Sequence, residues 1–192
     1  MEALLVSTGV VALAEIGDKT QLLAFILAAR FKKPVPIILG ILAATIVNHG
    51  LAGALGAWIA TAVSPDILRW VLGLSFIAMA IWTMIPDKIE EEETQIAKKW
   101  GVFGATLITF FLAEMGDKTQ IATVAMTVHY AAPILVVIGT TLGMLVADVP
   151  AVFIGDKLAN RIPMKLVHTI AACIFAALGV ATLLGAGAQL GF

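Results

Sequence analysis

Six stretches of the chain are apolar for long enough to cross a bilayer, with soft ends near 4–28, 37–61, 68–86, 101–127, 133–155 and 166–188. A membrane helix needs about 20 mostly apolar residues. The separators at 29–36, 62–66, 86–99, 129–133 and 155–165 are short, apart from the central one, and leave no room for a soluble domain. Of the 192 residues, 60% are hydrophobic and 13% charged, about half the charged share of a soluble domain. So few charges cannot cover a water-facing surface, and the same figures exclude disorder, collagen and coiled coil. A net charge of −1 gives no basis for binding nucleic acid. The lone cysteine, Cys173, excludes a disulfide within the chain. The start MEALLVSTGV lacks the basic n-region of a signal peptide, so the first segment is expected to remain as a span. The expected class is an all-α integral membrane protein with six transmembrane helices.

Lys and Arg are distributed unevenly. If alternate loops share a face, the loops at 29–36, 86–99 and 155–165 carry nine, the opposite face carries Arg69 alone, and Lys19 and Lys118 lie within spans. The positive-inside rule places the nine-charge face in the cytoplasm and both termini outside it.

The sequence also repeats itself. Residues 13–21 read LAEIGDKTQ and residues 112–120 read LAEMGDKTQ, identical at eight of nine positions with an offset of 99. The same offset pairs Gly40 with Gly139, Gly56 with Gly155 and Phe76 with Phe175. Each half then holds three spans, and an odd number implies opposite insertion of the halves. The expected plan is two inverted three-helix repeats, residues 1–86 and 101–192, joined by an acidic cytoplasmic linker at 87–100. Transporters built this way hold their site near the midplane, between the repeats.

The repeated motif carries the chemistry. On a continuous helix, Glu15 and Asp18 share a face, and Lys19, four residues from Glu15, reaches the same carboxylate. Thr20 and Gln21 add oxygen atoms. Glu114, Asp117, Lys118, Thr119 and Gln120 repeat the set. The glutamates lie roughly 17–20 Å into their spans at 1.5 Å per residue, near the middle of a hydrocarbon core of about 30 Å. Insertion of Asp, Lys or Arg at such depth costs roughly 2.5–3.5 kcal/mol each, so six unpaired groups would cost on the order of 15–20 kcal/mol. They must face one another, water or an ion. Four carboxylates and two ammoniums leave −2, which one divalent cation or two protons neutralise. Oxygen ligands suit Ca²⁺, Mg²⁺ or Mn²⁺, and no Cys/His cluster suits zinc or copper. The candidate metal ligands are therefore Glu15, Asp18, Thr20, Gln21 and Glu114, Asp117, Thr119, Gln120. The bland alternative is an ion-pair lock between the repeats. Gly17 and Gly116 either free a backbone carbonyl for the site or allow tight helix packing.

Outside the motif, Asn48 and His49 lie midway along the second span and align by the offset with Ala147 and Asp148. Asp148, a fifth intramembrane carboxylate, is a candidate ligand or proton relay, and Pro150 just after it can free a carbonyl. His49 is a candidate proton acceptor or a hydrogen-bonded packing residue. Lys19, Lys118, Asp148, His49 and Asn48 form the accessory, proton-coupling set. Three other features read as structural: the interfacial echo Ile154–Lys157, the acidic run Glu90–Glu93 as a solvated tether, and Met115, in place of Ile16, as packing.

The duplicated E-x-G-D-K-T in two three-span halves resembles the GDT family of cation/proton exchangers, marked by E-x-G-D-[KR]-[ST], over essentially the whole chain. That family includes Golgi calcium/manganese transporters and bacterial manganese exporters. The resemblance implies Mn²⁺ export in exchange for protons, with Ca²⁺ as a second substrate. It carries the motif roles onto Glu15, Gly17, Asp18, Lys19, Thr20 and Glu114, Gly116, Asp117, Lys118, Thr119. The short loops and lack of a targeting extension look like the bacterial branch, hence the inner membrane. The expected partners are a divalent ion, protons and the lipid bilayer, with no cofactor, and dimerisation through small-residue faces is compatible with this. The rival classes are a calcium/proton antiporter, an intramembrane enzyme using buried carboxylates, and a purely structural membrane protein. A phosphatase would need cationic groups for phosphate and a positioned nucleophile, but only Lys19 and Lys118 are deep, no arginine is, and no serine is paired with His49; the Tyr-Asp and Gly-x-Gly-Asp contexts of an intramembrane protease are missing.

Overall fold

The computed structural model describes residues 1–84, 100–154 and 164–185. These form eight α-helices: α1 Glu2–Glu15, α2 Lys19–Phe31, α3 Pro34–Ala62, α4 Pro65–Thr83, α5 Gly101–Glu114, α6 Lys118–Tyr130, α7 Pro133–Ile154 and α8 Met164–Leu183. No strand occurs among the described residues. The tether Glu90–Glu93 and most of the echo around Gly155 lie outside them.

The offset of 99 recurs in the backbone. It carries the starts of α1, α2, α3 and α4 onto those of α5, α6, α7 and α8. The turns repeat as well. Lys32 and Ala131, at φ 51° and 49°, end α2 and α6 in the left-handed region. Pro34 and Pro133 then open α3 and α7, where a missing N–H costs nothing.

The first and fourth spans differ from the expected single helices. Each is two half-helices, of 14 and 13 residues, that meet at the motif. Gly17 and Gly116 take φ 87° and 77°, which side-chain-bearing residues avoid, and a helix cannot continue through them. Asp18 and Asp117 follow as extended N-caps, and the Asp18 carboxylate accepts the Lys19 N–H at 2.7 Å. Space around Gly116 is open to 4 Å. Its role there is conformational rather than close packing. Among the described helices, α3, α4 and α7 are long and apolar enough to cross a membrane alone.

The half-helices are held by reciprocal packing. α1 lies along α7 and α5 along α3; α2 meets α7 and α6 meets α3; α4 pairs with α8. Exchanging the halves maps each packing onto another. The offset-related glycines do the same job on both sides. A Cβ on Gly139 would lie 2.6 Å from the Leu4 carbonyl and 2.9 Å from the Ser7 Cβ; one on Gly40 would lie 2.6 Å from the Cβ of Thr106, which aligns with Ser7. Phe76 and Phe175 stack on each other between α4 and α8, with centroids 6.4 Å apart.

We expect Gly139→Ala to lower the thermal unfolding midpoint in detergent, because overpacking at such a contact costs about 1–3 kcal/mol. Gly50→Ala, where space is open, should leave the midpoint nearly unchanged.

α3 shows why this is a membrane protein. Beyond Ile37 and Ile41, its buried stripe is small or polar: Gly40, Ala44, Thr45, Asn48, His49, Ala52, Gly53 and Gly56. Its outward stripe is large and apolar: Val35, Leu39, Ile46, Val47, Leu51, Leu55 and Trp58. Water would favour the reverse, while lipid solvates the apolar stripe.

Candidate metal centre

The two helix breaks bring the motif residues together in the interior. Glu15, Asp18, Thr20, Gln21, Glu114, Asp117, Lys118 and Thr119 are all buried. One carboxylate oxygen from each of Glu15, Glu114 and Asp117 falls within 4.8 Å of the others, close enough to share one ion. Thr20 Oγ1 donates to Glu15 Oε2 at 2.6 Å, and Thr119 Oγ1 to Glu114 Oε2 at 2.9 Å. Each glutamate keeps Oε1 buried without a hydrogen-bond partner. Two buried, unsatisfied carboxylate oxygens on residues of this cluster are what a cation would relieve.

The breaks overturn two expectations from continuous-helix spacing. Glu15 and Asp18 do not share a helix face, because Gly17 separates the two half-helices. Nor does Lys19 fold back on Glu15. The lysines cross between the halves: Lys118 Nζ lies 2.5 Å from Asp18 Oδ2, and Lys19 Nζ lies 3.8 Å from Asp117 Oδ1. The ion-pair lock weighed against a metal site is therefore present beside the carboxylate cluster, and it uses the aspartates rather than the glutamates.

Helix dipoles sort the four carboxylates in the same way. Asp18 and Asp117 cap the positive N-termini of α2 and α6, where a negative charge is favoured. Glu15 and Glu114 end α1 and α5, at negative C-termini, where it is not. The glutamates thus have the greater need of an external cation. Broken helices in transporters use such C-terminal ends for cations.

The glutamines serve the breaks. Gln21 Oε1 accepts the Gly17 N–H at 2.9 Å, and Gln120 Oε1 accepts the Gly116 N–H at 2.8 Å. Their amide nitrogens reach opposite-half partners: Gln21 Nε2 donates to the Ala147 carbonyl at 2.9 Å, and Gln120 Nε2 to Asn48 Oδ1 at 3.3 Å. Asn48 also donates to the Phe111 carbonyl at 3.0 Å, so it ties α3 to both half-helices of the second break. The offset aligns Asn48 with Ala147 but could not reveal that a side chain and a backbone carbonyl take equivalent places. Asp148 is fully buried, and neither of its oxygens has a hydrogen-bond partner; Asp18 and Glu15 are among its electrostatic neighbours. His49 is likewise buried, with both ring nitrogens unpartnered.

The sequence profile of the family described as "Divalent cation/proton antiporter GDT1" matches residues 3–91 and residues 102–189. The chain is 50% identical over 183 residues to a protein of Vibrio cholerae named "Putative manganese exporter", covering 95% of this chain and 90% of that one. It is 30% identical to a GDT1-like protein of Synechocystis, covering 86% and 88%, and 30% identical to GDT1-like protein 3 of Oryza sativa, covering 94% and 73%. No solved structure matches. This chain therefore belongs to the GDT1 family of divalent cation/proton antiporters, and it is a membrane transporter rather than an enzyme.

Proposed function

We propose that the protein exports Mn²⁺ from the cytoplasm in exchange for protons, by alternating access to one midplane site between two inverted three-helix repeats. The observation that carries this reading is the convergence of Glu15, Glu114 and Asp117 within 4.8 Å, on helix breaks from both halves. In this topology α1 and α2 together make one crossing, as do α5 and α6. The halves enter the membrane in opposite directions, and both termini lie outside the cytoplasm. Thr20 and Thr119 orient the glutamates, and Gln21 and Gln120 hold the breaks open. One chain carries both halves of the site, so a single subunit is the working unit, in the bacterial inner membrane. The 50% identity to a protein named as an exporter of manganese favours that ion over Ca²⁺, which the same oxygen atoms would accept.

With each aspartate offset by a lysine, two glutamate charges remain for the cargo. One Mn²⁺ or two protons then satisfy the site. Moving two positive charges out against an inside-negative potential costs about 4.6 kcal/mol per 100 mV, and two returning protons cancel that cost. The exchange is electroneutral and is driven by the proton concentration gradient.

The test is proton flux in inverted vesicles with an acidified interior. Adding Mn²⁺ outside should release protons in the wild type and not in Glu15→Gln. A larger release with Ca²⁺ would reassign the substrate. No release with either ion from folded protein would refute the exchanger.

A further inference from the structure

Two pairs that the sequence makes equivalent are unequal in the structure. The Asp18–Lys118 pair is tight, at 2.5 Å, with both side chains sealed: the lysine is 1% exposed. The Asp117–Lys19 pair is stretched to 3.8 Å, and its lysine is 26% exposed. The neighbourhoods differ in the same sense. Beside Asp117, Met115 and Gly116 are exposed, while beside Asp18, Ile16 and Gly17 are only partly so.

A second observation breaks the symmetry independently. The aspartate with the loosened lysine, Asp117, is the one whose carboxylate joins Glu15 and Glu114 in the three-carboxylate cluster. It also lies 3.5 Å from Thr119 Oγ1, the hydroxyl that holds Glu114. Asp18 spends Oδ1 on the Lys19 N–H and Oδ2 on Lys118. A carboxylate clamped by a buried ammonium is a poor ligand for a second cation. Lysine and cargo therefore compete for each aspartate.

We propose that Lys19 and Lys118 are alternating gate residues: each, when paired across the halves, closes its side of the site and withholds its aspartate from the cargo, and when released does the reverse. In this conformation Lys118 is closed on Asp18, and Asp117 completes the site. Transport exchanges the two arrangements, so Asp18 joins the glutamates while Lys19 closes on Asp117. The proposal rests on the alternating-access reading above. It adds that the site always recruits one aspartate and never both.

The test reads lysine accessibility rather than transport. Reconstituted protein is treated briefly with a water-soluble acetylating reagent, and modification of Lys19 and Lys118 is quantified by mass spectrometry. In the wild type Lys19 should react about tenfold faster or more, as expected if the alternative arrangement is populated at roughly 10% or less. The double variant Asp18→Asn/Lys118→Gln removes the closed pair without leaving a buried unpaired charge. It should protect Lys19 about tenfold, because the arrangement closed by Lys19 then has no competitor of equal strength. Unchanged or greater Lys19 reactivity in that variant would overturn the proposal and leave two static ion pairs.

Wild-type protein under imposed Mn²⁺ and proton gradients of opposite direction supplies a second measurement that needs no variant. The ratio of Lys19 to Lys118 reactivity should reverse with the gradient, and a fixed ratio would overturn the proposal. Mn²⁺ binding, followed on the same wild-type sample by the spin resonance of the free ion, separates this proposal from the one it rests on. Reciprocal lysine protection without Mn²⁺ binding would sink the metal assignment and keep the gates. Binding with static lysines would do the opposite.

Discussion

Glu15→Gln and Glu114→Gln should each weaken Mn²⁺ binding by about 100-fold or more. Residues that merely orient a metal ligand cost 10–100-fold when changed. These two carboxylates lie in the three-oxygen cluster itself, each with an unsatisfied Oε1. Gln keeps the shape and the acceptor for the Thr hydroxyl, so the fold should survive while the charge that attracts the ion goes. Thr20→Val tests the supporting role. It frees Glu15 Oε2 without removing charge, and its loss should fall near about tenfold, the low end for an orienting residue. Isothermal titration of purified protein with Mn²⁺ measures all three. Equal, small losses in the glutamate variants would mean that the cluster does not hold the ion. A Thr20→Val loss as large as that of Glu15→Gln would mean that orientation outweighs charge.

Several elements of this fold are legible in the sequence, for identifiable reasons. Hydropathy marks α3, α4 and α7 because each is one uninterrupted apolar helix. The offset of 99 anticipates the shared helix starts, and with them the Gly40/Gly139 and Phe76/Phe175 contacts, since equivalent residues in packed halves face equivalent surfaces. The helix breaks are hidden because apolar sequence flanks each motif on both sides, so the two half-helices read as one span. The signal was local and lay in the order of residues: a glycine followed by an N-capping aspartate is a stop and a start. Assuming continuity there misplaced Lys19, because i to i+4 geometry holds only within one helix. The crossed Asp–Lys pairs join residues about a hundred positions apart, and neither spacing nor composition encodes such a contact. Nor could the sequence distinguish Asp18 from Asp117, whose local contexts are nearly identical. The repeats diverge one shell away, where Asp148, an electrostatic neighbour of Asp18, aligns with His49.

That difference between equivalent residues sets up an unequal response to equal substitutions. Lys118→Ala should destabilise the protein by about 3–5 kcal/mol, the cost of leaving one member of a buried ion pair without its partner. Asp18 is 2% exposed, and its Oδ2 sits at 2.5 Å from the ammonium that would be removed. Lys19→Ala should cost much less. Its own side chain is 26% exposed, and its pair is stretched to 3.8 Å. Adding Asp18→Asn to a Lys118 variant should recover most of the loss, because removing both charges of a buried pair is often close to neutral. Thermal unfolding in detergent at matched lipid content, with the single and double variants together, gives the comparison. If Lys19→Ala and Lys118→Ala were equally harmful, the two pairs would be energetically equivalent, and the asymmetry in their geometry would carry no weight in stability. If the double variant stayed as unstable as Lys118→Ala alone, the lysine's contribution would lie in the packing of its aliphatic stem rather than in neutralising Asp18.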